Sequence, residues 1–146
     1  MTKYRLVFGL LFFVNLHVFS QNLDETKKNI IKSIENHEEE IIKISDKIWE
    51  LAETAFNEYE SSKLLSDYAE ANGFSLERGV AGMPTAFVAT YGQGKPVISV
   101  LGEFDALPGL SQDTTPTKKP LTEGGNGHGC GHNLFGAASL ASAIAI

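Results

Sequence analysis

Three side chains of the kinds that bind transition metals lie close together near the end of this sequence. His128, Cys130 and His132 alternate with glycines, which allow the backbone to turn tightly. Imidazole and thiolate are common ligands of zinc and related divalent ions, and a bound metal deprotonates a coordinating thiol without the help of a buried base. The spacing therefore favours a catalytic metal site.

Two other interpretations of these residues stay open. Cys130 is the only cysteine, and it could act as a nucleophile if a histidine base from elsewhere in the sequence lies close in space. The remaining alternative is a structural zinc site or a loop that only turns. A closed structural site needs four ligands and usually contains paired cysteines, which this chain cannot supply. The single cysteine also excludes an intramolecular disulfide.

Two carboxylates precede the cluster. Glu103 and Asp105 follow the apolar run at residues 97–102, which we predict to be a strand covered on both faces, as in the centre of an α/β sheet. Open α/β sheets collect their ligands at the carboxyl ends of the strands. Pro108 ends the predicted strand. Residues 109–131 are rich in glycine and predict a long loop, which is uncommon in a compact domain unless it has a function.

Helices are predicted to flank these segments. Apolar residues at alternating spacings of three and four predict a helix over about residues 24–56. A second helix is predicted to begin with Ser61 or Ser62 as its cap and to stop at Asn72 and Gly73.

The remaining elements complete a predicted α/β sheet domain. Residues 85–91 are rich in strand-forming side chains. Residues 134–146 predict a helix that is apolar on nearly every side, too short to span a membrane and in need of neighbours that this chain does not contain. We therefore expect a buried core helix there.

Composition limits the possible functions. The chain has 146 residues, with 12 Lys and Arg against 18 Asp and Glu, for a net charge of −6. Its 42% hydrophobic and 21% charged residues are typical of a globular protein and exclude disordered and fibrous classes. Because a nucleic-acid surface needs a concentrated basic face, which this acidic chain lacks, we expect no nucleic-acid partner.

The first twenty residues are typical of a signal peptide. Lys3 and Arg5 precede an apolar run at residues 6–19, and we place cleavage before Gln21. That run is shorter than the roughly 20 residues needed to cross a bilayer. We therefore expect an exported protein, periplasmic or secreted, with no stable membrane span.

Two motifs in combination resemble the M20 family of metallopeptidases and amidohydrolases. They are GEFDALPGLSQ at residues 102–112 and GHGCGHNL at residues 127–134. The resemblance implies a centre of two divalent ions, zinc or manganese, in which Cys130 and His132 are ligands. It also implies that Asp105 is the catalytic-site carboxylate that orients a metal-bound histidine or the metal site itself.

The same resemblance implies the surroundings of that centre. Glu103 and His128 match the flanks of the motifs and would contact the ligands or the substrate. Residues 21–146 would form the amino-terminal part of a zinc-peptidase-like α/β catalytic domain, without the smaller domain that family members use for dimerisation and closure. The glutamate base and the remaining ligands would then lie beyond Ile146.

The implied reaction is hydrolysis of an amide bond next to an amino acid carboxylate by a metal-activated water. A substrate like p-aminobenzoyl-glutamate or an N-acyl amino acid is expected. The alternatives are a dipeptidase or carboxypeptidase of the same family, or a non-catalytic metal-binding or interaction module. We expect the present chain to be inactive alone, and the full-length enzyme to be a homodimer or to assemble with a related subunit.

Overall fold

The computed structural model describes the backbone of residues 2–146 and the side chains of residues 24–146. The chain is mixed α/β, and its elements in order are α1 (Thr2–Leu51), α2 (Tyr59–Ala71), β1 (Ser75–Arg78), a 3-10 turn (Val80–Gly82), β2 (Phe87–Thr90) and α3 (His132–Ala145). The side chains of the predicted signal peptide, residues 1–20, lie outside the described part, so its cleavage stays a prediction.

One hydrophobic core joins the three helices. Ile48 of α1 is fully buried, and Leu65 of α2 and Ala137 of α3 are almost so. Burying a large aliphatic side chain contributes about 1.5–3 kcal/mol, so these contacts hold α3 against helices that precede it by many residues. The buried members are Ile44, Ile48, Leu65, Ala69, Ala137 and Leu140.

The first helix is shorter at its carboxyl end than predicted. It ends at Leu51 rather than near residue 56, and Ala52 turns into the left-handed region with φ of 45°. Thr54 then pairs in parallel with Ala106 in an isolated β-bridge. The helical pattern could not reveal this end, because the bridge partner lies about fifty residues further along the sequence.

The second helix ends where predicted but begins differently. Asn72 is its C-cap and Gly73 follows with φ of 87°, as glycine after a helix commonly does. The serines predicted as caps, Ser61 and Ser62, instead lie buried inside the first turn, and Glu58 occupies the N-cap position. The side chain of Glu53 binds the free amide groups of this turn in place of a serine cap.

The only sheet in the described backbone is a two-stranded antiparallel hairpin. Leu76 of β1 faces Ala89 of β2, within a register that runs from Ser75 opposite Thr90 to Arg78 opposite Phe87. The strand predicted at residues 85–91 is confirmed in its central part. Strand β1 was not predicted, because its four residues SLER show no strong apolar alternation.

The prediction of a buried strand at residues 97–102 is wrong for this structure. No strand forms there, and Val97 and Leu101 are 82% and 72% exposed. The segment runs beside α3, where the hydroxyl of Ser139 donates to the carbonyl of Leu101 at 2.7 Å. A strand needs neighbouring strands for its backbone groups, and no described segment pairs with this one.

The predicted apolar helix at residues 134–146 is confirmed as α3, although it begins two residues earlier. The expectation that this chain contains no neighbours for it is wrong for one face, which packs against α1 and α2 in the core. Leu134 and Phe135 remain 63% and 42% exposed. Within the described part of the chain, no helix has both the length and the apolar character that crossing a membrane requires.

Candidate functional site

A histidine held by two carboxylates forms the centre of the candidate site. His132 begins α3, directly after Gly131, whose φ of 81° lies in the left-handed region that favours glycine. The ring donates from Nδ1 to Oδ1 of Asp105 at 2.7 Å, and Nε2 lies 3.0 Å from Oε2 of Glu103. We call these three residues, Glu103, Asp105 and His132, the carboxylate–histidine cluster.

The predicted cysteine ligand lies beside this cluster. Cys130 is exposed, and its Sγ lies 3.7 Å from the backbone carbonyl oxygen of Asp105. Asp105 therefore contacts both predicted metal ligands, Cys130 through its backbone and His132 through its side chain. The glycine between the two ligands lets their side chains approach the same residue.

Backbone pairing brings the two motifs together. The amide and carbonyl groups of Leu107 and Gly127 exchange two hydrogen bonds of 3.0 Å, so the loop doubles back on itself. A Cβ atom at Gly127 would lie 2.1 Å from the carbonyl oxygen of Leu110. Because only glycine fits there, this position is a specific requirement of the folded loop.

The start of α3 is fixed from two sides. Asn133 is buried, and its side-chain amide donates to the hydroxyl of Ser45 on α1 at 3.2 Å. A Cβ atom at Gly136 would lie 2.8 Å from the carbonyl oxygen of Glu103. The helix therefore lies directly against the backbone that carries the two carboxylates, and a larger residue would separate them.

The third imidazole has a different environment. His128 is buried, and its Nε2 donates to the backbone carbonyl of Ile48 at 3.0 Å. Burial lowers the pKa of His128, so the neutral ring is favoured. Its Nδ1 has no hydrogen-bond partner among the described residues. His128 thus anchors the loop to α1, and its predicted contact with ligands or substrate stays a prediction.

An open cavity lies next to this anchor. It has a volume of about 440 Å³ and is lined by the end of α1, including Trp49, and by loop residues 110–114, 121, 122 and 125–129, including Asp113 and His128. Asp105, Cys130 and His132 do not line it. The cavity and the carboxylate–histidine cluster are therefore separate features of the chain.

The donor chemistry fits a divalent ion, but the described residues do not complete a site. Asp105 on Nδ1 is the arrangement that directs the opposite nitrogen of a histidine toward a metal, and the thiol of Cys130 is a suitable second ligand. Among the side chains of residues 24–146, no group of three or more His, Cys, Asp or Glu is arranged to hold an ion.

Two residues that approach the backbone of the cluster were absent from the sequence-based prediction. The carbonyl of Glu53 accepts a hydrogen bond of 2.7 Å from the amide of Ala106, next to Asp105. Gly136 permits the close approach of α3. Neither has a local signal, since Glu53 lies about fifty residues from its partner and Gly136 lies within an ordinary apolar helix.

The sequence is also similar to known proteins. No family model matches the sequence. The chain is 46% identical over 127 residues to a protein of Escherichia coli that is named as a subunit of p-aminobenzoyl-glutamate hydrolase. It is 35% identical over 124 residues to thermostable carboxypeptidase 2 of Saccharolobus solfataricus and 26% identical over 134 residues to Xaa-Arg dipeptidase of Mus musculus. Over this segment, the chain is similar to hydrolases of the M20 type.

The alignments cover most of this chain but little of its relatives. They include 84–85% of the present chain, and only 26%, 30% and 27% of the three relatives in the order given. The resemblance found in the two motifs is thus confirmed over most of the chain. It concerns a segment of about a quarter to a third of each relative.

Proposed function

We propose that this chain contributes the first ligands of a metal-dependent amidohydrolase of the M20 type. The observation that carries the proposal is the position of Asp105, which binds Nδ1 of His132 and contacts Cys130 through its backbone. Residues 21–146 would be the amino-terminal part of a zinc-peptidase-like catalytic domain, and residues 1–20 an export signal for a periplasmic or secreted enzyme.

The chain's own residues would prepare the site. Asp105 fixes the ring of His132 and, by accepting a hydrogen bond from Nδ1, leaves Nε2 as the ligand nitrogen. Cys130 would bind as a thiolate beside it. Glu103, which meets Nε2 in the structure, would exchange this contact when the ring binds a metal. When bound, two divalent ions, zinc or manganese, would lower the pKa of water and polarise the carbonyl of the amide.

The substrate proposed first is an amide next to an amino acid carboxylate. The Escherichia coli relative is named for p-aminobenzoyl-glutamate, and a compound of this kind or another N-acyl amino acid is therefore the first candidate. The other relatives are a carboxypeptidase and a dipeptidase, which supports a peptide substrate as the second candidate. The general base and the remaining ligands would come from outside this chain.

Assembly is part of the proposal. The Escherichia coli relative is named as one subunit of its enzyme, so the whole enzyme is proposed to assemble with a related subunit or as a homodimer. A non-catalytic metal-binding module is the alternative from another class. The two differ in whether the ligands on this chain support turnover.

A chimaera tests the proposal directly. The segment of the Escherichia coli relative that matches this chain would be replaced by the chain's own residues, and release of p-aminobenzoate would be measured beside the parent protein. We expect hydrolysis with zinc or manganese present. Cys130→Ser and His132→Ala should each lower the rate by at least about 100-fold, since loss of a ligand should exceed the effect of residues that only orient ligands.

The control is Asp113→Asn, on the same loop but paired with Lys119 instead of the cluster. It should retain the chimaera's rate. A folded chimaera without activity on this substrate, on N-acyl amino acids or on dipeptides would contradict the enzyme proposal and favour the binding module. Cleavage of dipeptides alone would select the second substrate class.

A further inference from the structure

The loop between α1 and α2 contains a carboxylate with an unusual set of contacts. We propose that Glu53 is a positioning residue, which ties the backbone at Asp105 to the first turn of α2 and so holds the carboxylate–histidine cluster in place. The inference rests on the proposed function, because it assigns a role in preparing that same site.

The side chain of Glu53 is fully engaged with α2. Its Oε2 accepts hydrogen bonds from the amide and the hydroxyl of Ser61 at 2.8 and 2.7 Å, and its Oε1 accepts one from the amide of Glu60 at 3.1 Å. The first amides of a helix have no partner within the helix, and Ser61 is completely buried. In the folded chain, solvent does not reach Ser61, and its amide is bound by the Glu53 carboxylate.

The backbone of the same residue is engaged with the site. The carbonyl of Glu53 accepts a hydrogen bond of 2.7 Å from the amide of Ala106, which is 1% exposed. The next residue, Thr54, completes the parallel bridge to Ala106. One residue thus binds helix α2 with its side chain and the neighbour of Asp105 with its backbone.

Asp105 is consequently held between two supports. Glu53 and Thr54 fix the residue after it on one side, and the pairing of Leu107 with Gly127 fixes the returning loop on the other. The direction of the Asp105 side chain, and with it the ring of His132, depends on both. Removing the Glu53 carboxylate leaves its carbonyl without a rigid attachment to α2.

A neighbouring glutamate provides a matched control. Glu58 occupies the N-cap position at the same end of α2 without a side-chain cap hydrogen bond. It is more buried than Glu53 and accepts a hydrogen bond from the hydroxyl of Thr85 at 2.7 Å. It has no hydrogen bond to Ala106 or Asp105 in the described part of the chain. Glu53→Gln and Glu58→Gln are therefore the same substitution at one helix end, and only the first interrupts the proposed link.

Two readouts test the link in the 146-residue chain. Cobalt(II) would be titrated while the thiolate charge-transfer absorption of Cys130 is followed, and hydrogen exchange would be measured at the amide of Ala106. For Glu53→Gln we expect about tenfold weaker cobalt binding, as for residues that orient ligands, and faster exchange at Ala106. For Glu58→Gln we expect both to stay within about twofold, even if unfolding requires less urea.

The outcomes separate the inference from the proposed function. Unchanged exchange at Ala106 and unchanged cobalt affinity in a folded Glu53→Gln variant would overturn the inference. If Glu53→Gln does not fold, Ser61→Ala removes one of the three hydrogen bonds and should raise Ala106 exchange to a smaller extent; no rise would overturn the inference. If the wild-type chain alone binds too little cobalt to titrate, because its described residues do not complete a site, exchange at Ala106 decides the role of Glu53, and the chimaera decides the proposed function.

Discussion

The helical core and the carboxylate–histidine cluster are held together by different kinds of contact. The core is made of apolar side chains from three helices, with Ile48 and Leu65 buried almost completely. The cluster is made of charged and polar groups at a quarter to a half of full exposure, oriented by hydrogen bonds from loops. Changes in the core should therefore alter stability first, and changes in the cluster should alter ligand binding first.

The contrast continues within the glycine-rich loop. His128 and His132 are four residues apart, yet one is buried against the carbonyl of Ile48 and the other lies between two carboxylates. The same residue type thus serves the core in one place and the cluster in the other. Residue type and spacing do not separate these roles, because the surroundings are supplied by distant segments.

The largest effect is expected in the core. Ile48→Ala removes a fully buried side chain and should lower the free energy of unfolding by about 2–5 kcal/mol, through lost burial and the cavity left behind. Urea unfolding followed by circular dichroism measures this. Ile31→Ala, at a side chain that is 58% exposed on the same helix, is the control. Equal losses for both would contradict the assignment of the core.

A substitution in the cluster should separate binding from stability. Asp105→Asn keeps the shape of the side chain but weakens its hydrogen bond with Nδ1 of His132. We expect cobalt(II) affinity to fall about 10- to 100-fold, with a change of at most about 1 kcal/mol in unfolding free energy. Asp113→Asn should change neither. An unaltered cobalt titration for Asp105→Asn would remove this residue from the proposed site.

Gly136→Ala acts where the two regions meet. The new methyl group would lie 2.8 Å from the carbonyl oxygen of Glu103, and relief of the clash must shift either α3 or the carboxylate segment. Overpacking of this kind costs about 1–3 kcal/mol, partly offset by the higher helix propensity of alanine, about 1 kcal/mol.

Calorimetry and cobalt titration of this variant would measure both consequences. We expect a lower melting temperature together with weaker cobalt binding, because Glu103 and Asp105 lie on the displaced segment. Ser142→Ala, at an exposed position on α3, should leave cobalt binding unchanged. Full stability and full binding in Gly136→Ala would show that α3 does not constrain the cluster.

The smallest effect concerns pH. Burial lowers the pKa of His128 in the folded chain below its ordinary value of 6.5, so the unfolded chain takes up the proton first as the pH falls. The stability that depends on neutral His128 is present above about pH 6.5 and is lost as the pH falls toward the lower folded-state pKa, with a slope of at most about 1.4 kcal/mol per pH unit.

Unfolding free energies measured between about pH 7.5 and 5 would check this. His128→Gln can still donate to the carbonyl of Ile48 but does not titrate. Its unfolding free energy should therefore change less steeply with pH than that of the wild type, by at most the slope that uptake of one proton contributes. Identical slopes for the two proteins would show that His128 takes up its proton equally well in the folded chain.

Local sequence patterns predicted the helices better than the sheet. The stop of α2 at Asn72 and Gly73 follows from the conformational freedom of glycine, and it is present. The apolar run at residues 97–102 was interpreted as a buried strand and is exposed. Burial of such a run requires partner segments, whose presence cannot be read from the run itself.

The residues of the candidate site were identifiable from their chemistry, whereas their arrangement was not. Cys130, His132 and Asp105 were recognised because few residue types bind metals and because two motifs containing them resemble a known family. Glu53 and Gly136 were not, since a hydrogen-bonding carboxylate and a helical glycine are common anywhere in a sequence.

Residue order and type alone decided which groups could act as ligands, where α2 would stop and that residues 109–131 would form a loop. Tertiary structure decided which histidine is an anchor and which faces the carboxylates, where α1 ends, and how Asp105 is held. The physical reason is the distance along the sequence over which each effect acts. Side-chain chemistry and helix stop signals act within a few residues, whereas burial and hydrogen-bond partners come from segments 50 to 80 residues away.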